Sequence, residues 1–406
     1  MKVLQMITGL GVGGAELQLR SMLQHTRHET DVVTLYNPGP VADMIRADGG
    51  TVRDVGMKRN TQLAVLFRLR RMIREGGYDV VHAHLYRSQV YGRLAARLAG
   101  ARVVLSTEHS IGETHLERRR MTFGVRVLYL GTERLADTTI AVSPTVAGRL
   151  AKWGVRPAKI TVIPNGVDLG RVAFDGTARE QVRAEFGIGA DDYLIGVLGR
   201  LDPNKQFDLM IEAAAPLLSD KVKLIIVGKG AEQAHLEQVA RACGVADRVI
   251  FAGERHDVAA LLSGFDLYVA SSAQETFGLS VLEALANGVP VLYTTCPALD
   301  GLGTGRARQM PSTVSGMREA LVDEVKIGRR PRESVAAVEQ EYGIQSVTTR
   351  IDDLYEKLGA ASPRWAWLPW RKARPRPAAA APVMAPAAQP AAEPAAVPAG
   401  ASGGER

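Results

Sequence analysis

Short apolar segments alternate with helical segments along most of this 406-residue chain, and this alternation is the strongest constraint on its fold. In the first half we predict strands over residues 3–7, 31–35, 78–83, 101–106, 138–142 and 160–163. Helical periodicity lies between them, for example over residues 15–23 and 91–98. Apolar strands separated by helices are typical of βαβ units, in which helices cover both faces of a parallel sheet.

The same alternation begins again in the second half. We predict strands over residues 193–198, 223–227, 248–251, 267–270 and 290–293, with helices near 209–217, 233–242, 258–262 and 280–286. The predicted class is therefore α/β, with two Rossmann-like parallel-sheet domains. Glycine, aspartate and other polar residues gather between 165 and 188, so we take residues 1–175 and 176–340 as the two domains.

The end of the chain differs in composition from the rest. An amphipathic pattern within residues 341–358 predicts a C-terminal helix. Residues 359–406 are rich first in Trp and Arg and then in Ala and Pro. We expect this tail to be disordered, because it can bury too little apolar surface to offset its ordering entropy.

Composition narrows the compartment and the partners. Only two cysteines occur, so we expect no disulfide framework and a reducing, cytoplasmic setting. A net charge of +7 and a pI near 9.4 suit an anionic substrate or an anionic membrane surface. The sequence contains no nucleic-acid-binding motif, no secretory leader and no uninterrupted apolar segment of about 18 residues, so we expect neither a nucleic-acid partner nor a spanning helix.

A glycine-rich loop joins the first predicted strand to the first helix. Gly9, Gly11 and Gly14 satisfy the pattern GxGxxG, which lets a backbone approach a phosphate at a helix N-terminus. An NAD site would also need an acidic residue at the end of the second strand, to hold a ribose hydroxyl. That strand runs into Asn37 without such an acid, which opposes an NAD-dependent oxidoreductase. A tight turn without a ligand is the other interpretation.

Two cations follow the first strand of the second half. Arg200 comes directly after Gly199 at the strand end, and Lys205 lies in the next loop. Open parallel sheets bind ligands at this edge, where Arg and Lys can neutralise a diphosphate leaving group. Taken alone, the pair is better explained as solvated surface charge. Gly228 ends the neighbouring strand and predicts a second close-approach turn at the same edge.

Two acids flank the start of the helix that follows residues 267–270. Glu275 lies in the loop and Glu283 in the helix, separated by a short segment that includes residues 277–279. The backbone amides at this helix start offer an anion site. A loop carboxylate would repel a phosphate there, so Glu275 is better explained by contacts to sugar hydroxyls, and Glu283 by contacts to a ribose. Helix capping by two solvated acids is the alternative.

With these features in hand, residues 1–358 resemble the retaining GT-B glycosyltransferases of family 4. The resemblance rests on the segments GGAE at 13–16, AVS at 141–143, IPNGVD at 163–168, GR at 199–200 with Lys205, and the two acids followed by ALANGVP at 284–290. It implies hexosyl transfer from a nucleoside diphosphate sugar to a carbohydrate, lipid-linked or small-molecule acceptor, with retention of anomeric configuration. The nucleotide sugar is then a substrate, and no cofactor is implied.

The resemblance also implies roles at matching positions. The candidate catalytic residues are His109, Arg200, Lys205 and Glu275. The candidate donor-binding residues are Gly13, Gly14, Gly199, Arg200, Lys205, Gly228, Phe277, Gly278, Leu279 and Glu283. In this scheme the cations hold the diphosphate, the first acid contacts the sugar, the second binds the ribose, and the histidine lies beside the reacting sugar. The N-terminal domain faces the acceptor, and the C-terminal helix crosses back onto it.

Two features depart from the family or from a simple site. The Gly-rich, Glu-containing loop and the apolar strand that usually follow Pro290 are missing around residues 301–313, which puts nucleotide contacts in that region in question. His82 and His84 suggest a metal, but no third ligand or Asp-x-Asp motif accompanies them. We therefore predict no essential metal and interpret this pair as structural.

A membrane surface is a candidate partner. Trp365, Trp367 and Trp370 lie among basic residues of the tail, and a second basic stretch at 117–120 precedes a predicted amphipathic helix at 125–130. Aromatic and cationic residues of this kind favour an anionic membrane interface. A solvated charged face with a sticky linker is the alternative.

Three other functions compete with glycosyl transfer. A GT-B nucleotide-sugar epimerase or phosphorylase is the closest, and an NAD-dependent oxidoreductase is more distant. A sugar-binding module without catalysis is the third, and the intact set of two cations and two acids opposes it.

Overall fold

The fold is described by a computed structural model that covers residues 1–59, 62–112, 115–117 and 119–361. The first half contains a seven-stranded sheet and a short antiparallel hairpin. Their strands are β1 (Lys2–Ile7), β2 (Glu29–Thr34), β3 (Thr51–Asp54), β4 (Val80–His84), β5 (Val103–Glu108), the hairpin strands β6 (His115–Leu116) and β7 (Arg119–Arg120), β8 (Thr138–Ala141) and β9 (Ile160–Val162). The strand order in the large sheet is β3-β2-β1-β4-β5-β8-β9, and all of its pairings are parallel.

The central strands β4 and β5 are buried along their whole length, because helices cover both faces of this sheet. The helices of the first half are α1 (Gly14–Leu23), α2 (Gly39–Ala47), α3 (Leu63–Gly76), α4 (Tyr86–Ala99), α5 (Phe123–Glu133) and α6 (Pro144–Trp153), followed by α7 (Leu169–Val172) and α8 (Gly176–Glu185). The last two lie after β9, and the domain limits predicted from the sequence stay predictions.

A second parallel sheet of six strands begins after α8. Its strands are β10 (Tyr193–Leu198), β11 (Val222–Val227), β12 (Val249–Gly253), β13 (Leu267–Ala270), β14 (Val291–Tyr293) and β15 (Ala307–Gln309), in the order β12-β11-β10-β13-β14-β15. The accompanying helices are α9 (Phe207–Ala214), α10 (Gln233–Ala242), α11 (Val258–Gly264), α12 (Leu279–Asn287), α13 (Val314–Ile327), α14 (Ala336–Tyr342) and α15 (Ile344–Ala361). The helix α8 packs on α11, and α7 packs on α12.

The predicted α/β class with two Rossmann-like sheets is confirmed. The apolar strand expected to be missing around residues 301–313 is indeed absent as such, but a short polar strand, β15, lies there and pairs in parallel with β14. It is only three residues long and reads Ala-Arg-Gln, so it lacks the apolar run by which a strand is predicted. Of the tail predicted to be disordered, residues 359–361 belong to α15, and the remaining residues lie outside those described.

The C-terminal helix α15 returns to the N-terminal sheet. Val347, Ile351 and Tyr355 pack into the same apolar cluster as Val3 and Ile7 of β1. Polar contacts add to this packing, since Asp352 accepts hydrogen bonds from the Thr26 hydroxyl at 2.8 Å and from the Arg27 N–H at 3.0 Å. The last helix therefore forms part of the N-terminal unit, although it follows the second sheet in sequence.

Candidate active site

Lys205 and Glu275 form an ion pair at the carboxyl edge of the second sheet. Lys205 ends the 3-10 turn Pro203–Lys205 after β10, and its Nζ donates to Glu275 Oε1 at 2.7 Å and to Ser272 Oγ at 3.1 Å. Both side chains of the pair are about one-fifth exposed, at 21% and 22%. Because an ammonium group has three N–H donors, these two contacts leave one that a ligand oxygen could accept.

Arg200 lies on the same edge but points to a different partner. Its Nε is 3.1 Å from Asp202 Oδ2, and its side chain is 53% exposed. One carboxylate contact occupies a small part of the five-donor guanidinium, so Arg200 can bind phosphate oxygens without first losing a buried contact.

The glycines of this edge serve backbone packing. A Cβ at Gly228 would lie 1.8 Å from the Gly199 carbonyl oxygen, and one at Gly230 would lie 2.0 Å from the Leu201 carbonyl oxygen. Hydrogen bonds join the same two loops, with the Leu201 N–H donating to the Lys229 carbonyl at 3.2 Å. Gly228 is therefore required by the neighbouring loop, whether or not a ligand also approaches it.

The start of α12 supplies an oriented helix end next to the ion pair. Gly278 precedes the helix with φ +101°, and a Cβ there would lie 2.4 Å from Cys296 Sγ. Phe277 is buried, which fixes the loop, and among the described residues the N–H groups of Leu279 and Ser280 at the helix start have no backbone hydrogen-bond partner. This end of the helix carries partial positive charge and suits an anion.

Glu283 lies farther along α12 in a largely apolar setting. Its side chain is 13% exposed, and its nearest cation is Arg171, with Nη2 3.5 Å from Glu283 Oε1. Burial raises the pKa of Glu283 to about 7, and the Arg171 charge opposes part of that rise. Such a carboxylate gains strongly from hydrogen-bond donors that a ligand brings.

The glycine loop of the first sheet faces the start of α12. Gly13 has an extended backbone and precedes α1, and a methyl group at Gly14 would lie 4.0 Å from Leu279 Cδ2. Gly9 has a different role, because a Cβ there would lie 3.0 Å from the Tyr36 carbonyl oxygen. The loop thus brings the N-terminal domain to the helix end that the sequence identifies as an anion site.

His109 follows β5 and lies at the junction of the two sheets. Its carbonyl accepts a hydrogen bond from Thr276 Oγ1 at 2.9 Å, and the Thr276 carbonyl accepts one from Ser143 Oγ at 2.7 Å. Burial lowers the pKa of His109 to about 4, although the Asn165 side chain offsets part of the fall, so the imidazole is neutral at neutral pH. These contacts hold the His109 backbone against Thr276, which is the residue directly after Glu275.

The structure therefore brings the predicted residues together to different degrees. Lys205 and Glu275 are in contact, and His109 binds the residue next to Glu275. Arg200 and Glu283 have other partners, Asp202 and Arg171 respectively. No sequence pattern indicates Arg171 as a partner of Glu283. Ser143 lies in one of the family segments, but its bond to the Thr276 carbonyl needed the structure.

The histidines of β4 do not form a metal site with other ligands. His82 and His84 are fully buried, at 0% and 3% exposure, and bond to other side chains. Among the residues that the structure describes, no cluster of three or more His, Cys, Asp or Glu side chains could hold a metal ion. Independence of a metal stays a prediction.

Comparison with known proteins gives two family matches that together span most of the described chain. Residues 12–171 match the model of Glycosyltransferase Family 4, and residues 178–301 match that of Glycosyl transferases group 1. A D-inositol 3-phosphate glycosyltransferase of Geodermatophilus obscurus is 31% identical over 71% of this chain and 69% of its own length. An Escherichia coli UDP-Gal:alpha-D-GlcNAc-diphosphoundecaprenol alpha-1,3-galactosyltransferase is 28% identical over 70% of this chain and 76% of its own.

Solved structures agree on the fold. HepE of Anabaena, crystallised with UDP-glucose, has a TM-score of 0.77 to this chain at 22% identity. The match covers 88% of this chain and all of the HepE chain. A sucrose-phosphate synthase of Thermosynechococcus elongatus has a TM-score of 0.70 at 20% identity, with 89% and 100% coverage. Together with the residue pattern of the crevice, these matches show that the chain is a glycosyltransferase with the GT-B fold and belongs to glycosyltransferase family 4.

Proposed function

We propose that this glycosyltransferase moves a hexose from a nucleoside diphosphate sugar to a carbohydrate or lipid-linked acceptor, with retention of anomeric configuration. The observation that carries the proposal is the Lys205–Glu275 pair beside the start of α12, with His109 held against the same loop. Cation, helix end, acid and neutral imidazole are the groups that a sugar attached to a diphosphate would need on its two sides.

On the leaving-group side, negative charge grows on the diphosphate as the bond to the anomeric carbon breaks. Lys205 offers its third N–H donor and Arg200 its exposed guanidinium. The first amides of α12 add the partial positive charge of a helix N-terminus. Fixed positive groups aimed at developing charge are usually the largest single contribution to catalysis. No cofactor takes part in this scheme, and the nucleotide sugar is a substrate.

On the sugar side, the transition state carries positive charge near the anomeric carbon. The Glu275 carboxylate accepts from Lys205 through one oxygen, so its remaining lone pairs can accept sugar hydroxyls. His109 contributes a neutral ring, which does not repel the developing positive charge. Attack on the face that the leaving group departs from would give retention without an enzyme-linked sugar.

Glu283 is proposed to bind the ribose of the donor. Two ribose hydroxyls would supply the donors that its buried carboxylate lacks. Uridine nucleotides are the first to test, because HepE was crystallised with UDP-glucose and the Escherichia coli relative is named for UDP-Gal.

A lipid-linked acceptor is supported by the same relative, whose name includes diphosphoundecaprenol. On α5 three apolar side chains are strongly exposed, Phe123 at 84%, Val127 at 53% and Leu128 at 49%. They follow the basic stretch at 117–120, and the Trp- and Arg-rich segment near 365 lies outside the described residues. In the described ranges no helix combines the length and apolar character needed to cross a membrane. We propose contact with an anionic membrane surface, by α5 and by the tail.

The main alternative is a nucleotide-sugar epimerase or phosphorylase with the same fold. The structure of a UDP-N-acetylglucosamine 2-epimerase candidate from Listeria monocytogenes has a TM-score of 0.61 to this chain at 16% identity, so the fold by itself does not distinguish the two activities. Family membership favours transfer.

The test is a donor panel followed by product analysis. Nucleotide sugars are first screened by thermal shift, in which a ligand at 100 times its dissociation constant adds about 2.7 kcal/mol to the free energy of unfolding. The best donor is then incubated with and without carbohydrate and lipid-linked acceptors, and the anomeric configuration of the product is read by NMR. We expect an acceptor-dependent product with the donor's configuration. An epimerised sugar without acceptor, or an inverted product, would contradict the proposal.

A further inference from the structure

A row of buried polar side chains runs from His109 to the C-terminal helix. Gln5 of β1, His82 and His84 of β4 and Tyr355 of α15 are at most 3% exposed. They lie on the sheet face that α15 covers, where apolar side chains would be expected. A buried polar row destabilises the protein unless each member is hydrogen-bonded, so its retention calls for a reason.

Every link of this row has hydrogen-bond geometry. His109 Nε2 is 3.1 Å from His84 Nδ1, and His84 Nε2 is 2.8 Å from Gln5 Oε1. Gln5 Nε2 donates to Tyr355 Oη at 3.1 Å, and Tyr355 Oη is 2.7 Å from His82 Nδ1. The row therefore connects residues 350 positions apart in sequence to the crevice.

The Gln5 side chain determines which atom donates and which accepts in each hydrogen bond between Gln5, His84 and His109. In the orientation that the structure gives, the Gln5 amide oxygen faces His84 and can only accept, so His84 carries its proton on Nε2. Burial lowers the pKa of His84 well below its usual value, so the ring is neutral and its Nδ1 must accept. The proton between the two rings then belongs to His109 Nε2.

The same reasoning fixes the other nitrogen of His109. A neutral ring with its proton on Nε2 has a lone pair on Nδ1. This nitrogen is buried, and among the described residues no partner stands within hydrogen-bond distance of it, although the Asn165 side chain lies close enough to offset part of the fall in the pKa of His109.

We propose that Gln5 and Tyr355 are positioning residues that hold His109 in the Nε2-protonated form, with Nδ1 kept as an acceptor for a hydroxyl of the bound sugar or acceptor. This inference rests on the proposed function for its role in catalysis, but the protonation pattern is a property of the free protein. Through Tyr355, the packing of α15 onto the N-terminal domain becomes part of the site.

Backbone strain beside His84 agrees with a demand for fixed geometry. Leu85 has φ +69° and ψ 149°, a conformation that is almost restricted to glycine. Strain of this kind persists only where the surrounding structure holds it. Here the Leu85 carbonyl accepts from Ser88 Oγ at 3.0 Å and from the Gln89 N–H at 2.9 Å, which holds the turn that follows His84.

The first test reads the histidine protons directly. Protein labelled with 15N at histidine is studied by two-dimensional NMR at neutral pH, and the His109 signals are assigned with His109→Gln. We expect Nε2 protonated and Nδ1 unprotonated in the unaltered protein. In Gln5→Met, His84 loses its acceptor, and we expect the proton pattern of His109 to reverse or to average between both forms.

Kinetics give the second readout, with Tyr355→Phe as the milder change. Tyr78→Phe is the matched control, because it also removes a buried phenol hydroxyl hydrogen bond, to Asp31, in the same domain. We expect Gln5→Met to lower kcat about 5- to 10-fold and Tyr355→Phe by less, since this is about the effect of losing one hydrogen bond to the reacting sugar or acceptor. KM for the donor should change little, and Tyr78→Phe should leave kcat unchanged.

The outcomes separate this inference from the proposed function. Nδ1 protonated in the unaltered protein overturns the inference, even if transfer is observed. So does a Gln5→Met protein that keeps both its His109 signals and its kcat. If no donor supports transfer, the proposed function fails while the NMR result still decides the protonation pattern. Should Gln5→Met not fold, the signals of the unaltered protein and of Tyr355→Phe decide it.

Discussion

Replacing Glu283 by glutamine should make the protein more stable above neutral pH while it weakens donor binding. The Glu283 side chain is 13% exposed, and in the absence of a ligand its only nearby cation among the described residues is Arg171, at 3.5 Å. Glutamine has nearly the shape of the protonated acid but carries no charge at any pH. The substitution therefore removes the cost of burying a carboxylate and little else.

The size of the effect follows from the pKa. Burial, opposed in part by Arg171, raises the pKa of Glu283 from an ordinary 4.5 to about 7. Between these values the folded state binds a proton that the unfolded state has released, so the free energy of unfolding falls as pH rises. Each tenfold change in proton affinity is worth about 1.36 kcal/mol, which gives a loss of about 3 kcal/mol once pH exceeds the folded pKa. Glu283→Gln should not suffer that loss.

The assay is urea denaturation of both proteins from pH 5 to pH 8.5, with the exposed Glu212→Gln as a control for charge removal. We expect the two free energies of unfolding to be similar near pH 5 and to diverge as pH rises, with the variant about 3 kcal/mol more stable above pH 7. Donor affinity should fall in the variant, because an amide accepts ribose hydroxyls more weakly than a carboxylate. A stability difference that is independent of pH, or a variant less stable at pH 8, would refute the reasoning.

Four further predictions follow from the site. Lys205→Ala should lower kcat by about 100- to 1,000-fold, as loss of one preorganised donor does, while Lys221→Ala at the opposite sheet edge should not. Gly228→Ala should destabilise the protein by at least about 2 kcal/mol more than Gly244→Ala, because its Cβ would overlap the Gly199 carbonyl whereas a Cβ at Gly244 meets nothing within 4 Å. Transfer should persist in EDTA without added metal, and abolition that is restored by a divalent cation would contradict this. In flotation with anionic vesicles, removal of residues 360–406 should reduce binding, and equal flotation would exclude the tail as a membrane contact.

The layers of the fold could be predicted from the sequence because their signal is local. Strands such as Tyr193–Leu198 and Leu267–Ala270 are buried on both faces, so an unbroken apolar run marks their limits. The strand β15 could not be predicted because it is short and polar. The hairpin strand β6 was missed for the same reason, since two residues carry no period.

The site could be predicted in part, since parallel strands deliver their loops to one edge of the sheet. This reasoning placed Lys205 and Glu275 together without revealing that they form an ion pair. It could not foresee Arg171 beside Glu283, which depends on how the short helix α7 packs on α12. Contacts between residues hundreds of positions apart, such as Gln5 with Tyr355, have no local signal at all.

The most direct test of the central claim is a crystal structure of the protein with a bound nucleoside diphosphate sugar. The account predicts diphosphate oxygens within hydrogen-bond distance of Lys205 Nζ and the first amides of α12, the ribose on Glu283, and the sugar between Glu275 and His109. A nucleotide bound elsewhere, or one whose diphosphate leaves the Lys205–Glu275 pair untouched, would contradict it.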